Sequence, residues 1–436
     1  MRLPQWANSV ISAGRGLWQG KLNLTDSGTA SELSLGNLCK ELLSTRGEAM
    51  GITIASAVED AYQQLGGEKK LAFFNLLFEE FSFDSERVRM AIEEFQSSPK
   101  LGTSHRLHKA TETTRIELFR RINIAPKGTE TLVRMRADLL LLLKENPHLN
   151  EVDADIRYLM DSWFNRGFLK LVEIDWHTPA HILEKLMNYE AVHSMNGWED
   201  LRRRLAADRR CYAFFHPAMQ DEPIIFVQVA LCRGLADSVQ ELLNMPEQKE
   251  LDTQANTAIF YSISDCQRGL KGISLGNFLI KQVVMELRGE LPNITQFATL
   301  SPIPGFSSWI RKEIESGNIT GAKGQLGKSF LAKNELNDSV VSDQDEVDIL
   351  KLCAEYLYLA KKDDEPKDPV ARFHLRNGAS IKRLNWAGDT SSKGERQSFG
   401  IMVNYHYDLS RVEERHEAFV NGKEISIDTE FSRQLM

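Results

Sequence analysis

The chain has 436 residues, of which 42% are hydrophobic and 26% charged, with a formal net charge of -8. That length allows two or three domains with cores of their own, the acidic balance weighs against a general nucleic-acid binder, and no apolar run approaches the ~18 residues that a membrane span needs. The five cysteines, Cys39, Cys211, Cys232, Cys266 and Cys353, form no CxxC pair and read as reduced thiols of a cytoplasmic protein.

The first 25 residues carry Arg2, Arg15 and Lys21 and no acidic residue, a composition shared with organellar transit peptides. A plain amphipathic helix is the preferred reading, because the stretch lacks the apolar centre of a secretory signal. Up to residue 166 the period is helical. Phe74, Leu77, Phe78 and Phe81 recur at i, i+3, i+4 and i+7, as do Val88, Ala91, Ile92 and Phe95 behind an Asp84-Ser85 cap. Leu132, Met135, Leu139 and Leu142 form a further stripe, and Ile156, Leu159, Met160 and Trp163 another, which Gly167 closes. Stripes at this spacing build a core or a subunit interface, so residues 1–166 are expected to form an all-α helical bundle.

From residue 167 the pattern becomes mixed α/β. Strands are expected over 168–176, 211–215, 224–231, 258–263, 294–300, 380–386 and 399–407. Helices are expected over 178–189, 198–207, 235–243, 275–287, 306–315 and 347–360. Arg202, Arg203, Arg204, Arg209 and Arg210 make a basic patch that could hold an anion. Residues 318–346 are polar and read as a loop or an irregular excursion, and the charged break Lys361–Pro369 as an exposed loop.

Chemistry concentrates in three places. Between the strand at 258–263 and the helix after it lies a loop, Gln267 to Asn277, with glycines at Gly269, Gly272 and Gly276. Glycines let the backbone approach a ligand, and the free N–H groups of the first helical turn would face a pyrophosphate, with Arg268 and Lys271 adding charge. The spacing is neither GxGxxG nor GxxxxGK[ST]. The second place is Ser301-Pro302-Ile303-Pro304-Gly305-Phe306, where a serine at a strand end is held extended by the following proline; no GxSxG elbow surrounds it. The third is His374, whose apolar neighbours would partly desolvate the ring and keep its pKa near neutrality, suited to proton transfer. His177 and His181 straddle a helix start and do not share a face, so no metal site is expected there.

The segments Thr257–Ser264, Leu300–Phe306 and Phe373–Ala379 resemble those of the malonyl-CoA decarboxylase family. The resemblance implies a helical oligomerisation domain over 1–166 and a catalytic domain of the GNAT acetyltransferase fold over 167–436, an α+β protein overall. It implies catalytic roles for Ser301 and His374, and a malonyl-CoA site lined by Lys271, Gly272, Ile273, Ser274, Leu275, Gly276 and Asn277. Ser262 and Asn377 are further candidates beside the pair. The general GNAT phosphate loop, Q/RxxGxG/A, fits poorly, because Gly269 stands where Gln or Arg would, and Ser274 where Gly or Ala would. The expected products are acetyl-CoA and CO2, with neither metal nor organic cofactor and with a homo-oligomer, a tetramer, as the assembly. Two other readings use the same loop: a GNAT-type N-acyltransferase, and a CoA-binding regulatory protein without turnover.

Overall fold

A computed structural model describes residues 29–45, 47–248, 254–273, 279–336 and 342–436. The chain divides into two compact units. One comprises the chain up to Leu169 with His216–Glu222 and Gln267–Ser274; the other comprises Lys170–Phe215, Pro223–Cys266 and Leu275–Met436. The expected helix within the first 25 residues lies outside the described residues.

The first unit is helical in its described N-terminal part, from Thr29–Ser44 through Asn150–Trp163. The stripes supply its core: Phe74, Leu77, Phe81, Leu132, Met135, Leu139, Ile156 and Met160 are all buried. The stripe Val88, Ala91, Ile92 and Phe95 behaves differently, since only Ala91 is buried and Ile92 is exposed. Its helix, Ser85–Ser97, begins on Asp84, which accepts the N–H groups of Glu86 and Arg87. Buried guanidiniums tie the bundle together: Arg115 donates to Asp155 at 2.8 Å and to the carbonyls of Leu77 and Phe78. Removing such a partner would leave an uncompensated buried charge.

The second unit is mixed α/β, with a sheet in the order β1-β2-β3-β4-β5-β10-β6 and β9 paired to β10. The strands are β1 (Lys170–Glu173), β2 (Arg209–His216), β3 (Met219–Cys232), β4 (Thr257–Asp265), β5 (Gln296–Thr299), β6 (Ser301–Pro302), β9 (Ser380–Asn385) and β10 (Met402–His406); the short pair β7 (Lys361–Lys362) and β8 (Glu365–Pro366) stands apart. Pairing is antiparallel except between β4 and β5, which run parallel with Phe260 opposite Thr299. The helix Leu279–Glu290 lies between these two strands in sequence, as a parallel pair requires. A helical N-terminal region followed by a mixed α/β unit is the α+β organisation that the resemblance implies. Ile259 and Tyr261 of β4, Ala298 of β5, Leu300 and Met402 of β10 pack into one apolar cluster. Side chains alternate along a strand, so Thr299 and Ser301 are turned to the opposite face.

Three expectations change. Residues 318–346 are not a loop: they contain the helix Gly321–Leu336 and the start of the helix Asp343–Leu359, which Ser342 caps. Gly327 serves packing there, since a Cβ on it would meet Ile310 and Ile314 at 2.9 Å. Tertiary packing here overrides a weak propensity. Four of the five arginines of the basic patch are spent internally, and Arg202 stays exposed over the Trp176 ring. Arg203 forks onto Asp208 at 2.7 and 2.9 Å, Arg209 also pairs with Asp208, Arg204 donates to Gln228 and the His193 carbonyl, and Arg210 meets Glu290. Helices at Pro369–Arg376, Ser392–Ser398, Val412–Gly422 and Thr429–Leu435 occupy stretches where none was expected. Among the described residues no helix is long and apolar enough to cross a membrane.

Candidate active site

Ser301 and His374 stand 73 residues apart in sequence and meet at 3.0 Å, Oγ to Nε2. Ser301 reaches that place from the first position of β6, where Val403 of β10 is its partner. The turn after it is rigid because Ile303 and Phe306 are buried, Phe306 among the rings of Trp309, Tyr356 and Phe399. Gly305 is required by a close approach: a Cβ there would sit 2.2 Å from the Tyr356 hydroxyl.

His374 lies on the helix Pro369–Arg376, which buries Ala371, His374 and Leu375 on one face. Asp368 starts this helix, accepting the N–H groups of Val370 and Ala371 at 2.9 and 3.0 Å, with Pro369 at the first helical position. The same carboxylate accepts the Tyr356 hydroxyl at 3.4 Å, and that hydroxyl closes on Gly305, so one buried group links the Ser301 turn and the His374 helix. Burial raises the Asp368 pKa to about 6. Past the helix the chain reverses at Gly378, φ +82°, where a Cβ would collide with the Val412 carbonyl.

The hydrogen bonds around the pair have a direction. Ser301 Oγ donates to Thr299 Oγ1 at 2.8 Å, and Thr299 Oγ1 also accepts the Tyr405 N–H. With its proton committed there, Ser301 accepts from His374 Nε2–H, and His374 Nδ1 accepts from the Tyr407 hydroxyl at 2.8 Å. The imidazole is therefore a neutral Nε2–H donor. The Tyr405 ring stacks on it with centroids 4.4 Å apart. A serine nucleophile would need the reverse polarity, with the ring accepting the serine proton.

The expectation that partial burial keeps His374 near neutrality is corrected. The ring is 3% exposed, and burial pushes its pKa down from 6.5 to about 3. The position near a helix C-terminus favours the cation by at most ~2 kcal/mol. That is less than the roughly 5 kcal/mol to which the downward shift corresponds, so desolvation wins. Burial likewise raises the Tyr407 pKa well above its ordinary value.

The other candidates fall elsewhere. Ser262 donates to the buried carboxylate of Glu190 at 2.8 Å and sits beside Ser264. Asn377 donates to the Phe373 carbonyl and finishes the His374 helix. In the first unit, Arg268–Leu270 is a turn of 3-10 helix, and Lys271, Gly272 and Ile273 follow it. Ser274, Leu275, Gly276 and Asn277 lie outside the described residues. His177 is exposed and bonds to Asp175. Sequence reasoning missed Thr299, Asp368, Tyr405 and Tyr407. The Asp368-Pro369 pair was an available signal, a capping acid before a helix-starting proline. Thr299 was available from the period of two that places it beside Ser301.

Known proteins share this plan. Residues 167–436 match the family model described as the malonyl-CoA decarboxylase C-terminal domain, and residues 81–164 match its N-terminal domain. The mitochondrial malonyl-CoA decarboxylase of Rattus norvegicus is 37% identical over 339 residues, covering 71% of this chain and 68% of its own. Crystal structures of malonyl-CoA decarboxylase from Rhodopseudomonas palustris and Agrobacterium vitis are each 44% identical and cover 92% of this chain. They span 99% and 100% of their own chains, with TM-scores of 0.87 and 0.86.

Proposed function

The chain belongs to the malonyl-CoA decarboxylase family, and from that premise we propose that it converts malonyl-CoA to acetyl-CoA and CO2 through a thioester enolate. Loss of CO2 leaves an electron pair on the carbon next to the thioester, and the carbonyl takes it as an enolate. The substrate supplies its own electron sink, so the reaction runs without a metal or an organic cofactor. The protein has to hold the carboxylate in a poorly hydrated place, stabilise the enolate oxygen and return a proton to carbon.

The observation that carries the reading is the buried, neutral His374 between Ser301 and Tyr407. Its Nε2–H is a ready donor to a developing enolate. As that proton passes to carbon, Nδ1 takes the proton of Tyr407 and a proton from water is returned to the Tyr407 oxygen in the same turnover, so that ring and phenol both end neutral. Ser301, released from Nε2, hydrogen-bonds and orients the malonyl group. Lys271 through Asn277 contact the coenzyme A portion. The protein acts in the cytoplasm as a homo-oligomer, a tetramer. Self-association is supported by the exposed apolar side chains Phe83, Met90, Ile92 and Leu101, contributed by and beside the helices Ser85–Ser97 and Leu101–Thr111.

The test is to incubate purified protein with malonyl-CoA alone in metal-free buffer and follow CO2 and acetyl-CoA together. Equimolar release supports the decarboxylase. Product that forms only when an amine acceptor is added indicates an N-acyltransferase, and tight binding without turnover a regulatory protein.

A further inference from the structure

The glycine-rich loop of the first unit rests on guanidinium groups from the helical region. Arg136, in the helix Gly128–Leu142, is buried, and its Nη1 donates to the carbonyls of Gly269 at 2.7 Å and Lys271 at 2.9 Å. Its Nε and Nη2 face the Asp153 carboxylate, which balances its charge. Arg157, in the helix Asn150–Trp163, donates to the Gly272 carbonyl at 3.1 Å. One turn before Arg136, the Val133 carbonyl lies so close that a Cβ on Gly269 would stand 1.8 Å from it. The loop is thus laid flush on the helix at Gly269 and gripped by its carbonyls at Gly269, Lys271 and Gly272.

That grip orients a donor. A trans peptide is planar, with its N–H antiparallel to its carbonyl. No cis peptide bond occurs among the described residues, so the Lys271 carbonyl turned into Arg136 aims the Gly272 N–H the opposite way. Gly272 is exposed, at φ +78°, and its N–H has no acceptor among the described residues. The neighbouring N–H groups are already used, Lys271 N–H by Arg268 and Ile273 N–H by Leu270. An outward N–H beside the Lys271 side chain suits a phosphate oxygen. A lysine in place of Arg136 would offer its donors from one nitrogen, whereas here Nη1 serves the two carbonyls while Nε and Nη2 serve the carboxylate, the planar fork of a guanidinium.

We infer that Arg136, with Arg157 in support, is a positioning residue for the coenzyme A phosphates. It fixes the Lys271–Gly272 peptide so that Gly272 N–H faces the ligand, and it makes the helical region part of the binding apparatus. The inference rests on the proposed use of this loop by malonyl-CoA. The test compares malonyl-CoA with malonyl-N-acetylcysteamine, a thioester that lacks the nucleotide and its phosphates. Arg136→Ala is expected to raise KM for malonyl-CoA about 10-fold with kcat within about 2-fold, and to leave kcat/KM for the truncated thioester unchanged. Arg136→Lys should recover little of the loss. Should Arg136→Ala fail to fold, Arg157→Ala removes the Gly272 contact from the surface, with an expected rise in KM of about 3-fold for malonyl-CoA alone. A parallel loss on both substrates, a fall in kcat alone, or unchanged KM for malonyl-CoA would overturn the inference. Wild-type protein that does not decarboxylate malonyl-CoA would instead overturn the functional reading beneath it.

Discussion

Ser301 gives its proton to Thr299 and takes one from His374, which makes it a hydrogen-bonding group in the proposed reaction and not a nucleophile. Ser301→Ala is accordingly expected to lower kcat by about 100-fold, while wild-type protein quenched during turnover shows no acyl adduct by intact-mass spectrometry. A malonyl or acetyl adduct on Ser301 would contradict the assigned polarity. The depressed pKa of His374 also has a thermodynamic consequence. Folded, the ring stays neutral down to about pH 3; unfolded, it takes up a proton near 6.5. Between those values the unfolded chain binds more protons, so this residue makes stability rise with pH through the window and contributes a flat term above it. Asp368 works in the opposite sense, because its pKa is raised from 3.8 to about 6 and the folded state binds the extra proton between those values. Urea unfolding across pH should therefore show wild type steeper than His374→Asn by about 1.4 kcal/mol per pH unit between pH 4 and 6. Parallel curves would mean that His374 is not held neutral by burial.

At the scale of elements, the helix Pro369–Arg376 and the turn after β6 depend on one carboxylate. Asp368→Ala removes the cap and strands the Tyr356 hydroxyl, and the expected loss is about 2–4 kcal/mol of stability. A thermal midpoint like that of wild type would show that the cap is dispensable. This helix also shows what the amino-acid sequence makes legible. Strands with strong β-branched and aromatic character, such as β4, and long helices with regular stripes, such as Gly128–Leu142, can be read from period alone. Ser301 and His374 stand out through a resemblance, not through spacing, since nothing local to either residue points at the other. Their contact is set by the registers of β6 and β10, by Asp368, and by rings packed on Phe306, all of them distant in sequence. The same limit hid the helix Gly321–Leu336, whose Gly327 is explained only by the helix it packs against. It also hid Gly269, whose reason is the Val133 carbonyl.

For the whole molecule, the helical region does more than the stripes foretold. Most of its apolar residues fill its own core, and its buried arginines grip helix ends and the loop at 267–273. What remains exposed near Ser85–Thr111 is the surface assigned to self-association. Leu101 is 88% exposed, so Leu101→Glu together with Met90→Glu should cost the fold little yet reduce the mass seen by light scattering. An unchanged mass would place the subunit contacts elsewhere. The account as a whole turns on His374 acting as the proton donor to the enolate, and CO2 release from malonyl-CoA by His374→Asn tests this most directly. At a Kd for coenzyme A equal to that of wild type, the predicted rate is lower by at least about 100-fold; a rate within two-fold of wild type, roughly 0.4 kcal/mol of barrier, would contradict it.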